Sequence, residues 1–134
     1  MKSCLKMVAS AATLLLWGCS QSPGISVGTI KTAAELKTKM EETPNLKVVH
    51  ALNAEHYAEG HVPGAINIDY EKMLPDMLPK DKSRPMVFYC TGGMCPVGKM
   101  AADKAASWGY TRVWVYKGGL QDWKSAGMKL AKGG

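Results

Sequence analysis

Three short apolar runs constrain the fold more than any other feature of this sequence. They cover residues 47–52, 86–89 and 112–116, and apolar and polar residues do not alternate within them. Such runs are typical of parallel strands that are covered on both faces of a sheet. A chain of 134 residues has room for one domain rather than two. We therefore expect a single α/β domain built on a parallel sheet.

Segments with helical spacing separate and flank these runs. Residues 32–42 begin with the pattern of a capping box, in which Thr32 and Glu35 each bind the other's unpaired backbone amide. Residues 96–108 carry apolar side chains at helical spacing, with Pro96 in the first turn. A last short helix is predicted after the glycine pair that follows the third run. Strands that alternate with helices predict a three-layer domain with right-handed crossovers.

The first residues have the layout of a secretory signal and are left out of the predicted domain. Lys2 and Lys6 provide a positive start, and the apolar stretch over residues 7–17 is too short to span a bilayer as a permanent helix. The ending at residues 16–19 (Leu-Trp-Gly-Cys) resembles a bacterial lipoprotein signal, in which Cys19 would carry the lipid. The alternative is an ordinary secretory signal that leaves Cys19 as a stray thiol.

This interpretation divides the chain into a signal peptide (1–18), a lipidated polar tether (19–27) and a folded domain (28–130). The lipoprotein resemblance implies that the mature protein is lipid-anchored to a membrane outside the cytoplasm. Ser20, which follows the lipidated cysteine, favours the outer membrane of a two-membrane bacterium, with the domain facing the periplasm. Disulfides persist in such a compartment, so the domain's two cysteines can be redox active there.

Charge and cysteine content exclude several classes of protein. The formal net charge is +6, but no Lys/Arg block stands alone, so we expect no nucleic-acid partner. The four cysteines are too few and too irregularly spaced for a disulfide scaffold or a four-cysteine zinc site. His50, His56 and His61 form no i,i+4 pair. We therefore expect neither a metal site nor a cofactor.

The junction after the second apolar run carries the candidate chemistry. Residues 89–96 read Tyr-Cys-Thr-Gly-Gly-Met-Cys-Pro, and ligands gather where a parallel strand's carboxyl end meets the next helix. The helix terminus favours a thiolate at Cys90. Gly92 and Gly93 let several amides face one anion, and Lys99 adds positive charge one turn into the helix. The alternative is that Cys90 is a buried apolar residue in an ordinary glycine turn.

Two separated motifs in this sequence resemble the rhodanese-like domain. The upstream motif covers residues 57–67 (YAEGHVPGAIN). The downstream motif comprises Tyr89-Cys90 with its glycine-rich loop, Ala101-Ala102, Gly109-Tyr110, Val115-Tyr116-Lys117-Gly118-Gly119 and Trp123. The resemblance covers roughly residues 28–130. It implies a three-layer α/β fold with a five-stranded parallel sheet flanked by helices.

The resemblance also implies a sulfurtransferase. In that family's chemistry, Cys90 would attack a small sulfur-containing anion or a persulfide donor, hold the sulfur as a persulfide, and pass it to a thiol acceptor. Backbone amides of the loop would stabilise the persulfide anion. The loop residues implied in this binding are Thr91, Gly92, Gly93, Met94 and Cys95, with Lys99 beyond them.

The sequence departs from the family at two places. Common members have an Arg five residues after the cysteine, where this chain has Cys95, or Val97 if the loop is aligned as two residues longer. The upstream Asp-x-Arg signature is replaced by His50 and Leu52. The missing Arg argues against thiosulfate-to-cyanide transfer and against the activity of the related cysteine phosphatases. Thiosulfate would rely on loop amides and on Lys99.

Cys95 is similar to a second cysteine found in a group of rhodanese-like domains. It could resolve the Cys90 persulfide by releasing sulfide and forming a disulfide, or it could be an inert partner that packs under the loop. Three functions remain open at this point. They are a sulfurtransferase, a dithiol or polysulfide-handling protein that feeds a membrane redox partner, and a non-catalytic docking module on the same fold.

Overall fold

The computed structural model describes residues 26–134, and a parallel sheet lies at its centre. The helices and strands, in chain order, are β1 (Gly28–Ile30), α1 (Ala33–Glu42), β2 (Lys47–His50), α2 (Ala54–Glu59), β3 (Ile66–Asn67), β4 (Met86–Tyr89), α3 (Val97–Ser107), β5 (Val113–Tyr116) and α4 (Gly119–Ser125). The five strands lie in the order β1-β5-β4-β2-β3, and every neighbouring pair is parallel. The predicted five-stranded α/β fold is confirmed.

The three apolar runs form the three central strands. Strand β2 ends at His50 and is therefore two residues shorter than the apolar run over residues 47–52. Each strand is almost wholly buried, as expected for a sheet covered on both faces. The predicted signal peptide and the lipidation site at Cys19 lie outside the described residues. Within residues 26–134, no helix is both long enough and apolar enough to cross a membrane.

Helices cover both faces of the sheet and bury one apolar cluster on each. On one face α3 contributes Ala101 and Ala105, which are small enough to let the helix lie close to Phe88 of β4. On the other face α1 and α4 contribute Leu36 and Trp123. The layers therefore hold β4 in the middle of the core, with its carboxyl end at the start of α3.

The start of α1 differs in one detail from the predicted capping box. The Thr32 hydroxyl accepts a hydrogen bond from the Glu35 amide at 3.2 Å, as expected. The Glu35 carboxylate, however, accepts from the Lys31 amide at 2.8 Å instead of the Thr32 amide. A carboxylate from another helix, Asp122 of α4, accepts from the Ala33 amide at 2.6 Å. This contact ties α1 to α4 across one face of the sheet.

Candidate active site

Cys90 lies directly after β4 and is buried, with 3% of its surface exposed. Its Sγ accepts a hydrogen bond from the Gly98 amide at 3.4 Å and donates to the Cys95 carbonyl at 3.4 Å. Both cysteines are free thiols. The predicted pair therefore meets across the loop that joins β4 to α3, with the first turn of α3 supplying an amide to the sulfur.

A glycine in the first turn of α3 allows this contact. A Cβ at Gly98 would lie 3.0 Å from the Cα of Tyr89 and 3.3 Å from the Cys90 nitrogen. A larger residue would push the helix away from the strand and move its amide off the sulfur. Gly98 thus sets how close α3 approaches Cys90.

The start of α4 packs against the cysteine loop and binds its backbone. Gly92 and Gly119 have φ angles of 101° and 63°. Their backbones are in contact, so a Cβ on Gly119 would lie only 2.3 Å from the Gly92 nitrogen. The Leu120 amide donates to the Cys90 carbonyl at 3.0 Å, and the Gln121 amide donates to the Thr91 carbonyl at 2.9 Å. The glycine pair after β5, which in the sequence marks only a helix start, therefore also fixes the cysteine loop.

The two thiols differ in acidity. Burial and the neighbouring Cys95 raise the pKa of Cys90, and the amides of Gly92 and Gly98 do not offset them. Burial also opposes ionisation of Cys95, but hydrogen bonds from Cys90, Val97 and Thr91 outweigh it and lower the Cys95 pKa. The expectation that the helix terminus makes Cys90 the thiolate is therefore wrong for the reduced pair, because desolvation wins at the buried sulfur. Within the reduced pair, Cys95 is therefore the more acidic thiol.

A cavity of about 350 Å³ opens beside the two cysteines. It is lined by Cys90, Gly93, Met94, Cys95, Pro96, Gly98, Lys99, Val115, Tyr116 and Lys117. Five predicted site residues are thus brought together, whereas Thr91 and Gly92 lie behind the cavity wall and support the loop. Met94 is 98% exposed and stands at the rim. Lys99 is engaged by both carboxylate oxygens of Asp103, at 2.6 and 2.8 Å.

The sequence did not single out the wall that β5 provides. Tyr116 ends that strand and Lys117 follows it. Because β5 is the neighbour of β4, residues that follow the two strands share one edge of the sheet. The signal that could have found Lys117 is its place directly after a buried strand in a parallel sheet.

The upstream motif packs in the same apolar cluster as Tyr89 of β4, and its polar groups bind within the fold. The Tyr89 hydroxyl accepts from the Val62 amide at 2.9 Å, and the Tyr57 hydroxyl donates to the Ala65 carbonyl at 2.7 Å. His61 places its Nδ1 2.8 Å from the Tyr57 carbonyl and stacks on the Tyr57 ring. These contacts use the motif's polar groups within the fold. In the described part of the chain, no three His, Cys, Asp or Glu side chains gather as a metal site.

His50 is fully buried beside this motif. Among the residues described, neither of its ring nitrogens has a hydrogen-bond partner, and its ring meets those of Tyr57 and Tyr89 edge-on at 5.6 and 5.2 Å. Burial, followed by the charges of His61 and His56, lowers the pKa of His50 to about 4. His50 is therefore a neutral core residue, as its place in a buried strand predicts.

The geometry and the sequence comparisons lead to the same family. The sequence model of the rhodanese-like domain family matches residues 32–126 of this chain. The chain belongs to the rhodanese-like family. The match runs from α1 to α4 and includes four of the five strands, both motifs and the cysteine loop, while β1 lies just before it.

Relatives within the family include enzymes. A thiosulfate:glutathione sulfurtransferase of Saccharomyces cerevisiae is 27% identical over 133 residues, covering 87% of this chain and 94% of the relative. A tRNA uridine(34) hydroxylase of Erwinia tasmaniensis is 33% identical over 104 residues, covering 70% of this chain, which spans only 28% of the hydroxylase's length. The yeast match supports a sulfurtransferase-type enzyme.

Solved structures agree with this assignment. A Bacillus halodurans protein superposes with a TM-score of 0.70 at 25% identity, covering 92% of this chain and 85% of its own. A human single-domain sulfurtransferase superposes with a TM-score of 0.62 at 25% identity, covering 75% of this chain and 97% of its own. The rhodanese-like domain here is thus similar to structures that consist of one such domain.

Proposed function

We propose that the protein is a sulfurtransferase that carries sulfane sulfur as a persulfide on Cys90. The observation that carries this proposal is the position of the Cys90 sulfur. It lies at a cavity wall, receives the Gly98 amide at 3.4 Å, and sits in a loop fixed by α4. Backbone amides held in this way stabilise a sulfur anion without having to reorganise during the reaction.

The first step transfers a sulfur atom to Cys90. Cys90 first loses its proton to solvent through the cavity, a step that burial makes unfavourable because it raises the pKa of this thiol. The resulting Cys90 thiolate attacks the outer sulfur of the donor. The donor's sulfur–sulfur bond breaks, and its electron pair leaves with sulfite from thiosulfate or with the shortened chain from polysulfide. The product is a Cys90 persulfide that faces the cavity.

The second step removes the sulfur by one of two routes. An acceptor thiolate can attack the terminal sulfur, which forms the acceptor's persulfide and returns Cys90 as a thiolate. Alternatively, the Cys95 thiolate attacks the inner sulfur, which forms the Cys90–Cys95 disulfide and expels hydrosulfide. The second route consumes two thiol electrons, so an external dithiol must then reduce the disulfide. Glutathione is the acceptor to try first, because the name of the yeast relative includes it.

A dithiol redox function is the second candidate. The observation that favours it is the acidic Cys95 thiol beside the buried Cys90 thiol, two features of a pair that closes readily to a disulfide. This candidate needs no sulfur uptake at all. The two functions therefore differ in whether Cys90 gains a sulfur atom.

Steady-state assays with Cys90→Ser and Cys95→Ser test the proposal. We expect Cys90→Ser to reduce transfer from thiosulfate or polysulfide to glutathione to the uncatalysed rate. We expect Cys95→Ser to keep transfer but to lose hydrosulfide release in the absence of an acceptor. A Cys90→Ser variant with wild-type transfer would contradict the proposal, and catalysis of disulfide exchange without transfer would favour the second candidate.

We propose that the enzyme works outside the cytoplasm on a lipid anchor at Cys19. The support is the sequence of residues 1–20, with its positive start, short apolar stretch and terminal cysteine. Fractionation of cells that express the full chain tests this. We expect the protein in the membrane fraction, and Cys19→Ser should move it out of that fraction. Equal partition of both proteins into the soluble fraction would contradict the anchor.

A further inference from the structure

We propose that Lys117 is the specificity-determining cation of the donor site, and that it binds the anionic oxygens of a thiosulfate-type donor. This inference rests on the proposed function and names the class of substrate. It applies to donors whose leaving group is an oxyanion, such as sulfite, and it gives Lys117 the place that the missing loop Arg leaves open.

The sheet places Lys117 beside the nucleophile. In the pairing of β4 with β5, Met86 is opposite Val113 and Phe88 is opposite Val115. Cys90 and Lys117 each lie two residues beyond the last of these pairs, so both leave the sheet at the same edge. Both residues line the same cavity. The backbone of Lys117 is fixed by its amide, which donates to the Ile30 carbonyl at 2.9 Å.

The other lysine of the cavity is already neutralised. Lys99 forms an ion pair with Asp103 at 2.6 Å, one helical turn further along α3. Within residues 26–134, no carboxylate lies within ion-pair distance of Lys117. The cavity lining contains no Asp or Glu. Of the two lysines that line the cavity, Lys117 is therefore the one without a carboxylate partner, and it is the cation available to an anion that enters.

The chemistry of transfer makes this charge useful. When the Cys90 thiolate attacks the outer sulfur of thiosulfate, the bond to the sulfonate breaks and negative charge builds on the departing sulfite. A cation at the cavity wall binds the dianion and stabilises its leaving group. A polysulfide carries its charge on terminal sulfur instead of oxygen, so it gains less from a lysine ammonium group. Lys117 thus favours thiosulfate-type donors over polysulfides.

Kinetics of the Lys117→Met variant test the inference. We expect kcat/KM for thiosulfate to fall by roughly three- to tenfold, as for loss of one charge-assisted contact at an exposed site. Persulfide formation from polysulfide should change much less, and Lys117→Arg should restore most of the thiosulfate activity. The wild-type advantage should shrink as salt is added, because screening weakens the ionic contact. Lys37→Met, at an exposed position on α1, is the matched control and should behave as wild type.

Two outcomes would overturn the inference. One is an unchanged kcat/KM for thiosulfate in Lys117→Met. The other is an equal loss with thiosulfate and polysulfide that Lys117→Arg does not restore, which would indicate a structural role. Failure of the proposed function has a different signature, because the wild-type protein would then take up no sulfur from either donor.

Discussion

The upstream motif (residues 57–67) packs against β4 and the cysteine loop (residues 90–98) follows that strand, yet the two regions use their polar groups differently. In the upstream motif, backbone and side-chain groups bind one another, as Tyr57 does with the Ala65 carbonyl at 2.7 Å. In the loop, the sulfur and the glycine backbone face a cavity. One family motif therefore stabilises the scaffold, whereas the other presents its sulfur to the cavity where we propose that transfer occurs.

A pair of glycine substitutions gives the largest expected contrast between the regions. Gly92 in the loop and Gly64 in the upstream motif both have positive φ, 101° and 87°. A Cβ at Gly92 would lie 2.0 Å from the Gly118 carbonyl oxygen, whereas a Cβ at Gly64 meets nothing within 4 Å. We expect Gly92→Ala to cost at least about 3 kcal/mol and to disrupt transfer. Gly64→Ala should cost only about 1–2 kcal/mol from backbone strain.

Urea unfolding measures both free energies, and the glutathione assay measures transfer. Gly64→Ala serves as the control, since it carries the same backbone strain without the collision. Equal stability losses in the two variants would mean that the contact between the loop and α4 does not hold the site together.

A pH series tests the contribution of the buried His50 to the stability of the scaffold. The pKa of His50 is lowered from 6.5 to about 4, so the unfolded chain takes up this proton at a higher pH than the folded chain. Stability from this residue is therefore complete above pH 6.5 and is lost as the pH falls towards 4. The total loss is at most about 3 kcal/mol.

Unfolding of wild type and His50→Leu between pH 7 and pH 4 isolates this contribution as the difference between two curves. The His50→Leu variant should lose less stability on acidification, while sulfur transfer at pH 7 should be unchanged. Parallel stability curves for wild type and His50→Leu would show that His50 is not a buried neutral residue.

The smallest expected effect concerns the hydrogen bond between the Tyr89 hydroxyl of β4 and the Val62 amide of the upstream motif. The Tyr89→Phe substitution removes the acceptor of the Val62 amide, which is buried and bound at 2.9 Å. We expect a loss of about 1–3 kcal/mol, because the amide is left without a partner. The Cys90 loop should still load sulfur at the wild-type rate. A large drop in transfer with little loss of stability would show that this hydrogen bond serves the site and not the scaffold, which contradicts the account.

Much of the scaffold follows from the sequence because burial on both faces leaves a readable pattern. The strands β2, β4 and β5 lie in continuous apolar runs, and α1 and α3 carry helical spacing. The edge strands have three and two residues, too short for any periodicity, and only the family resemblance implies a sheet of five. Helix α2 buries none of its residues, so no apolar pattern marks it.

The site follows from the sequence only along one stretch of chain. Cys90, Cys95 and the loop are close in sequence, and a single motif places them together. Lys117 is close to them only because β5 pairs with β4, which sequence spacing does not state. The acidity of the two thiols depends on burial and on hydrogen bonds, which raise the pKa of Cys90 and lower that of Cys95, and the sequence does not show either.

Intact mass of the reduced protein after exposure to polysulfide, followed by removal of excess donor, tests the central claim most directly. The account predicts a gain of one sulfur atom in the wild-type protein, none in Cys90→Ser, and a longer-lived gain in Cys95→Ser, because the resolving thiol is absent. Loss of two hydrogen atoms with no sulfur gained, in a protein whose Cys95→Ser variant also takes up none, would contradict a Cys90 persulfide.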